Sequence, residues 1–180
     1  HILVLGAGKS SASLIDYLLK QAESQDWHIY VADVLLQNAL SKINGHPRGT
    51  AFTISTENDV QTIKLIEQSD LVISLFSPQF HFPTAQKCLA AGKHFLNASY
   101  VSAEMQALDE AVKAKGLTFL CEMGLDPGID HMSAMEIMDG IREKGGKIHG
   151  FHSHCGGLIA PESDDNPWHY KISWNPRNIV

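Results

Sequence analysis

One short segment of the sequence contains three side chains that can move protons. Gly124 to His131 (GLDPGIDH) includes Asp126, Asp130 and His131 within six positions, and carboxylates and imidazoles serve as general acids and bases. Asp130 can instead cap the helix that follows, because a carboxylate accepts bonds from free backbone donors, and we prefer that structural role for it. Asp126 precedes Pro127, which favours an extended backbone, so we expect its carboxylate to point into a cleft.

A glycine-rich segment near the start of the chain has the spacing of a dinucleotide-binding turn. Gly6-Ala7-Gly8-Lys9-Ser10-Ser11 lies between a predicted strand and a predicted helix, where a pyrophosphate would meet the helix N-terminus. Gly6 permits the tight turn, and Gly8 lets a phosphate approach the backbone. The third motif position is Ser11 rather than Gly or Ala, so the pattern alone is a weak match, although serine is small enough there. We expect the phosphates to be bound by Gly6, Gly8, Lys9, Ser10 and Ser11.

Asp33 ends the second predicted strand, at the distance from the glycines where a carboxylate holds the ribose hydroxyls of an adenosine. A carboxylate at this position repels a 2′-phosphate, so Asp33 favours NAD over NADP. The alternative interpretation is a glycine-rich turn followed by a solvated aspartate.

Short apolar runs typical of strands alternate with helix-period segments, which indicates βαβ units and a parallel sheet. We expect a doubly wound α/β Rossmann domain over residues 1–122, and the beginning of an α+β substrate-binding and dimerisation domain over 123–180. The predicted strands are 2–5, 29–33, 51–54, 71–75, 94–98, 117–121 and a polar strand at 147–155, and the predicted helices are 12–22, 83–91, 103–115 and 129–144.

Ligands of open α/β sheets bind beyond the carboxyl ends of the strands, so the segments after strands four, five and six should line one crevice. After strand four, Ser77 and Pro78 either face the ribose and nicotinamide of the cofactor or form an ordinary turn. Strand five leads into Ala98, Ser99 and Tyr100, of which we expect the first two to contact the cofactor.

Composition excludes several classes of partner. The net charge is −6, with no basic stripe for nucleic acid, and no apolar run approaches the roughly 18 residues that a membrane span requires. The three widely spaced cysteines fit free thiols in a reducing cytoplasm. The chain starts on an apolar strand without Met and stops inside an unfinished pattern, so we expect it to be a piece of a longer polypeptide.

His152, His154 and Cys155 lie on the predicted polar strand, and the two histidines share a face. This arrangement suggests a metal site, but no clear fourth ligand accompanies them. We therefore expect no metal and prefer a structural or substrate-facing role.

Three separated segments resemble the saccharopine dehydrogenase family, and within it the L-glutamate-forming saccharopine reductases of lysine metabolism. These segments are Asn97-Ala98-Ser99-Tyr100, Glu122 to Met135 (EMGLDPGIDHMSAM) and Cys155 to Trp174 (CGGLIAPESDDNPWHYKISW). Because they occur in the same order and are spread over the chain, they are far more specific than the glycine pattern.

The resemblance implies an oxidoreductase that interconverts saccharopine with L-glutamate and L-2-aminoadipate 6-semialdehyde, using a nicotinamide cofactor and acting as a homodimer. It implies that Tyr100, Asp126 and Cys155 lie in the reaction cleft, with Asp126 accepting the proton of the substrate amine. Members of the family often use NADP, whereas Asp33 favours NAD. For substrate binding, the expected residues are Tyr100, Asp126, Pro127, Gly128 and Arg177.

Two other functions remain open. The first is a related dehydrogenase acting on another secondary amine, such as carboxynorspermidine, although the segment from Cys155 to Trp174 argues against it. The second is a sensing module that binds NAD or NADP without turnover.

Overall fold

The computed structural model describes residues 1–55, 60–154 and 159–171. The chain divides into two compact units, His1–His131 and Met132–Val180, which are described separately. None of the helices in the described ranges is both long and apolar enough to cross a membrane.

The first unit is built on a six-stranded parallel sheet. In chain order its strands are β1 (Ile2–Leu5), β2 (Ile29–Asp33), β3 (Gly49–Thr53), β4 (Leu71–Ser74), β5 (His94–Asn97) and β6 (Phe119–Leu120). Their order in space is β3-β2-β1-β4-β5-β6, and every neighbouring pair runs parallel. This order is that of the doubly wound Rossmann fold, and the predicted fold class is confirmed.

The strands are connected by crossover helices, which are α1 (Ala12–Ala22), α2 (Leu36–Ile43), α3 (Val60–Glu67), α4 (His81–Ala91), α5 (Ala103–Gln106) and α6 (Asp109–Ala114). A further helix, α7 (Ile129–Glu143), follows β6. The helices α2 and α3 are additional to those that the sequence predicts. Each has eight residues and buries only two or three side chains, so its helical period is too short to stand out in the sequence.

Both faces of the sheet are covered, as a parallel sheet requires. Ile2 and Val4 of β1 belong to an apolar cluster with α1 and α2, whereas Leu3 and Leu5 belong to a second cluster with α3 and α4. Alternate residues of a strand point to opposite faces, which explains this division. The predicted apolar face of α1 is confirmed, because Ile15, Leu18, Leu19 and Ala22 are all buried.

Several predicted boundaries of elements need correction. β3 spans residues 49–53 rather than 51–54, and β6 is reduced to two residues that pair with β5 at the edge of the sheet. The predicted helix 103–115 is two helices, because the Leu108 N–H donates to the Met105 carbonyl in a tighter turn. α4 begins two residues before Pro83, which still leaves the proline in the first turn, where no N–H is needed.

The cysteines in the first unit, Cys88 and Cys121, are free thiols, as expected. Burial raises the pKa of Cys88 to about 12. Its thiol is therefore an unreactive part of the core. Cys155 lies outside the described residues.

The predicted polar strand at 147–155 is wrong for residues 147–154, which are exposed and have no regular secondary structure. A strand needs a neighbour for its backbone hydrogen bonds, and the described residues of the second unit provide none. His152 and His154 therefore do not share a strand face.

Candidate active site

The turn between β1 and α1 has the backbone geometry that the glycine motif predicts. Gly6 has a φ of +101°, and a Cβ built on it would lie 3.0 Å from the carbonyl oxygen of Leu75. A side chain at this position is therefore both strained and crowded. A Cβ built on Gly8 would have no atom within 4 Å, so this side of the turn is open to the approach of a phosphate.

Ser11 closes the turn. Its side chain is buried, and its hydroxyl donates to the Gly8 carbonyl at 2.8 Å. Lys9 and Ser10 are exposed in the short 3₁₀ turn Lys9–Ser11 that leads into α1. Serine at the third motif position is therefore compatible with close packing of the helix, and it adds a bond that Gly or Ala could not make.

Asp33 is joined to this turn by its carboxylate. Oδ2 accepts a bond from the Ala7 N–H at 2.7 Å, and Oδ1 accepts bonds from the Leu35 N–H at 2.9 Å and the Asn38 side-chain amide at 3.0 Å. Partial burial acts to raise the pKa of Asp33, but these hydrogen bonds outweigh it and hold the pKa below its ordinary value. The group is therefore an anion, and a carboxylate has about four acceptor sites, one more than the bonds named here.

An apolar cavity of about 420 Å³ opens at the carboxyl ends of β2, β3 and β4. Ser77 lines it, whereas Pro78 begins the short 3₁₀ turn that precedes α4. Such a cavity can accept a flat ring such as adenine. Asp33 precedes Val34 of the cavity lining, and a carboxylate at this position can bind the ribose attached to the adenine. Its lining includes Val34, Ile54, Phe76, Ser77, Phe80 and Lys87.

Tyr100 and Asp126 are brought together although they are 26 positions apart. Tyr100 follows β5, Asp126 lies in the turn after β6, and the phenol donates to Oδ1 of Asp126 at 3.1 Å. The hydrogen bond to Asp126 raises the pKa of the Tyr100 phenol, with smaller contributions from desolvation and from the charges of Asp126, Asp130 and Glu122. The pair lies on the surface, with Tyr100 46% exposed, so a solute can reach it.

The rest of the turn around Asp126 has a structural role. Pro127 and Gly128 are buried, and the Gly124 N–H donates to the Pro127 carbonyl at 3.0 Å. Asp130 is the second residue of α7 and accepts from the Gly128 N–H at 2.9 Å, so it stabilises the turn before the helix and is not the residue that caps it. Ala98 packs next to Gly124, since a Cβ on that glycine would lie 3.2 Å from the Ala98 Cβ.

A buried histidine next to this site carries no signal in the sequence patterns. His81 bonds to Ser74 Oγ through Nδ1 and to Ser99 Oγ through Nε2, both at 2.9 Å. Asn97 and Glu122 also bond to the segment after β5. A histidine at the start of a helix does not reveal which hydroxyls the fold brings to it, so local sequence could not identify this group.

Two predicted site residues, Cys155 and Arg177, lie outside the described residues. In the ranges 1–55, 60–154 and 159–171, no group of three or more His, Cys, Asp or Glu side chains is arranged to hold a metal ion. The described residues therefore present one dinucleotide-type turn with Asp33, and one phenol–carboxylate pair.

Comparison with known proteins finds two family models that match consecutive parts of the chain. The model described as saccharopine dehydrogenase NADP binding domain matches residues 2–120. The model described as saccharopine dehydrogenase C-terminal domain matches residues 124–180.

Individual relatives match over almost the whole chain. Saccharopine dehydrogenase (NADP(+), L-glutamate-forming) of Schizosaccharomyces pombe is 36% identical over 99% of this chain and 39% of its own length. Alpha-aminoadipic semialdehyde synthase of Arabidopsis thaliana is 36% identical over 99% of this chain and 18% of its own length. The solved structure of apo saccharopine dehydrogenase (L-Glu forming) from Saccharomyces cerevisiae matches with a TM-score of 0.81 and 33% identity, covering 99% of this chain and 39% of that one. The chain thus spans less than half the length of these relatives.

Proposed function

The chain belongs to the saccharopine dehydrogenase family, and we propose that the protein of which it is part oxidises a CH–NH group of saccharopine. The products are L-glutamate and L-2-aminoadipate 6-semialdehyde, and the reaction is reversible. The observation that carries this proposal is the hydrogen bond between Tyr100 and Asp126 at the carboxyl ends of β5 and β6. Proton-transferring groups are needed at that edge of a Rossmann sheet, where the reactive end of a dinucleotide is bound.

The cofactor is NAD or NADP, which fits the open face at Gly8, the Asp33 carboxylate and the apolar cavity beside it. We assign the phosphates to residues 6–11, the adenosine to Asp33 and the cavity, and the nicotinamide end to Ser77, Pro78, Ala98 and Ser99. The relative from Schizosaccharomyces pombe carries NADP(+) in its name. We propose a preference for NAD in this protein, because an anionic Asp33 repels a 2′-phosphate.

A nicotinamide ring held by Ser77, Pro78, Ala98 and Ser99 would supply the acceptor for a hydride from the carbon next to the secondary amine of the substrate. That amine must first be neutral, and we assign the removal of its proton to Asp126. Tyr100 occupies Oδ1 of Asp126, so we assign Oδ2 to the amine. The resulting imine takes up water and splits, and the phenol of Tyr100 donates or accepts a proton in those later steps.

The remaining assignments rest on the family resemblance. Cys155 is a second acid, base or orienting group, and Pro127 and Gly128 shape the substrate side of the turn. Arg177 is assigned to a substrate carboxylate on a different ground, because it is the nearby arginine in the sequence. We place the domain boundary near residue 122, between the stretches matched by the two family models. We further propose that the protein is cytoplasmic and forms a homodimer, and sedimentation of the full-length protein would test the dimer.

The experiment is product analysis with the full-length protein. Saccharopine is incubated with NAD or NADP, and the products are identified by mass spectrometry. We expect L-glutamate together with the semialdehyde. Turnover of carboxynorspermidine instead would favour the related dehydrogenase, and dinucleotide binding without turnover of either amine would favour the sensing module.

A further inference from the structure

His81 is a buried imidazole with both ring nitrogens hydrogen bonded, and the proposed reaction does not use it directly. It is the first residue of α4 and is only 5% exposed. Nδ1 lies 2.9 Å from the hydroxyl of Ser74, the last residue of β4, and Nε2 lies 2.9 Å from the hydroxyl of Ser99, after β5. The ring therefore links the end of one central strand to the segment after its neighbour.

The ring is suited to such a link in its neutral form. A neutral imidazole has one N–H donor and one acceptor nitrogen, whereas a serine hydroxyl can both donate and accept. Burial lowers the pKa of His81 below its ordinary value, so the ring is neutral near neutral pH. Both bonds can then form without a buried charge.

Ser99 is held at three points. Its N–H donates to Asn97 Oδ1 at 2.9 Å, its carbonyl accepts from the Glu122 N–H at 2.9 Å, and its hydroxyl bonds to His81. The first two partners belong to the end of β5 and the residues after β6. His81 links Ser99 to Ser74 at the end of β4, the strand on the other side of β5 from β6.

The next residue in the chain is Tyr100, whose phenol bonds to Asp126. A phenol on a surface segment has several accessible rotamers and backbone positions, and a catalytic group displaced by about 1 Å can lose on the order of a hundredfold in rate. The position of the Tyr100 backbone is set by Ser99, and the bond from His81 to Ser99 restricts that position.

We propose that His81 is a positioning residue, which acts through the hydroxyl of Ser99 to hold Tyr100 in place for its hydrogen bond with Asp126. The expected effect of His81 on kcat rests on the proposed function, whereas its effect on the position of Tyr100 does not. His81 itself touches neither the substrate nor the reacting atoms.

The kinetic test uses the full-length protein with saccharopine. His81→Phe keeps a ring but removes both bonds, and Ser99→Ala removes only the hydroxyl. We expect each change to lower kcat by about tenfold or more, and we expect His81→Phe to leave the cofactor Kd within roughly threefold of the original value. The double variant should be no slower than the slower single variant, because both changes remove the same link. Ser99→Thr, which keeps a hydroxyl, should recover most of the rate.

Ser69→Ala is the matched control for loss of a buried serine hydroxyl. Ser69 is fully buried and bonds to the Leu65 carbonyl at 2.7 Å, far from the site in the fold. Because Ser69 is fully buried and Ser99 is half-buried, removal of the Ser69 hydroxyl should lower the thermal midpoint at least as much as Ser99→Ala does, with kcat unchanged. Equal losses of kcat in the Ser69 and Ser99 variants would show a general effect of stability and overturn the proposal.

A second readout needs no turnover. Protein labelled with 3-fluorotyrosine is titrated by ¹⁹F NMR, with the Tyr100 signal assigned by its loss in Tyr100→Phe. We expect His81→Phe and Ser99→Ala to lower the pKa of the Tyr100 phenol in the same direction as Asp126→Asn, because the hydrogen bond that raises it is loosened.

The two readouts separate the failure of this proposal from the failure of the proposed function. If the original protein does not oxidise saccharopine but the pKa of Tyr100 falls in His81→Phe, the proposed reaction is refuted and the positioning role is retained. A folded His81→Phe variant with an unchanged Tyr100 pKa would overturn the positioning role, whatever its kcat. If His81→Phe does not fold, Ser99→Ala decides by the same two measurements.

Discussion

Tyr100 and Asp126 affect each other through one hydrogen bond on an exposed surface. The phenol donates to the carboxylate, so the bond favours the protonated form of Tyr100 and opposes the phenolate. Tyr100 is therefore a proton donor over the neutral pH range, and any step that needs its phenolate is moved to higher pH. Asp33 is an anion that accepts three hydrogen bonds, and we propose that its charge decides which dinucleotide the protein selects.

Replacing Asp126 by Asn should lower the pKa of the Tyr100 phenol. The change removes the carboxylate that accepts the phenol's hydrogen bond, which is the largest cause of the raised pKa, and it also removes the negative charge of Asp126. Desolvation and the charges of Asp130 and Glu122 remain. Titration of the fluorotyrosine signal measures the shift. Asp130→Asn is the control, since Asp130 acts on Tyr100 only through its charge and should give a smaller decrease. Equal decreases in the two variants would exclude the hydrogen bond as the dominant cause.

Replacing Asp33 by Ser should shift the cofactor preference toward NADP. Loss of the carboxylate removes repulsion of the 2′-phosphate, and we expect the ratio of the Kd values for NADP and NAD to fall by roughly tenfold. Fluorescence titration with each dinucleotide measures both constants. Asp33→Asn keeps an acceptor oxygen for Leu35 and Asn38 but removes the charge, and should shift the ratio in the same direction. A ratio unchanged in both variants would show that Asp33 does not face the ribose.

Which site residues local sequence can reveal depends on how they are brought together. Asp126 and Tyr100 were identifiable because they lie in motifs that resemble a family, and Gly6 and Gly8 because their spacing follows the chain. His81 was not identifiable, because its two hydroxyl partners come from β4 and from the segment after β5. Such contacts depend on the register of the sheet, which no local pattern contains.

At the scale of the elements, the turn between β1 and α1 combines two glycines with different purposes. Gly6 is needed by the fold itself, since its φ is positive and a Cβ built on it would lie 3.0 Å from the Leu75 carbonyl oxygen. Gly8 has an ordinary φ of −69° and no neighbour within 4 Å of a built Cβ. The first glycine therefore serves stability, and we propose that the second serves ligand approach.

Alanine at each glycine separates these purposes. We expect Gly6→Ala to lower the free energy of unfolding by roughly 1–3 kcal/mol, because the backbone is forced into a strained conformation. Gly8→Ala should change that free energy by less than about 0.5 kcal/mol but weaken dinucleotide binding by about tenfold or more. Urea denaturation and dinucleotide titration of the full-length protein measure the two quantities. Dinucleotide binding by Gly8→Ala at the original affinity would place the phosphates elsewhere.

The elements differ in how far sequence could predict them. The strands with continuous apolar runs and helix α1 were predicted closely, because their burial is complete and their period is clear. α2 and α3 were not, since short helices bury few side chains. The strand predicted at 147–155 was wrong for residues 147–154, because a local sequence pattern does not supply the neighbouring strand that pairing requires.

At the scale of the whole molecule, the chain contains a six-stranded Rossmann sheet and part of the region that comes after the sheet in its relatives. It covers 39% of the relative from Schizosaccharomyces pombe, and the proposed roles of Cys155 and Arg177 fall on residues outside the described ranges. Turnover is therefore a property to be measured in the full-length protein. A dinucleotide-binding unit can be intact in that protein even when the reaction is abolished.

The most direct test of Asp126 as the base compares the original full-length protein with Asp126→Asn. The rate of saccharopine-dependent reduction of NAD and NADP is measured together with the Kd of each dinucleotide. Asp16→Asn, which alters an exposed ion pair with Lys20 on α1, is the control. We predict a fall in kcat of about a hundredfold or more for Asp126→Asn, with dinucleotide Kd values within roughly threefold of the original. An unchanged kcat, or a loss of dinucleotide binding in that variant, would contradict the assignment of Asp126 as the base.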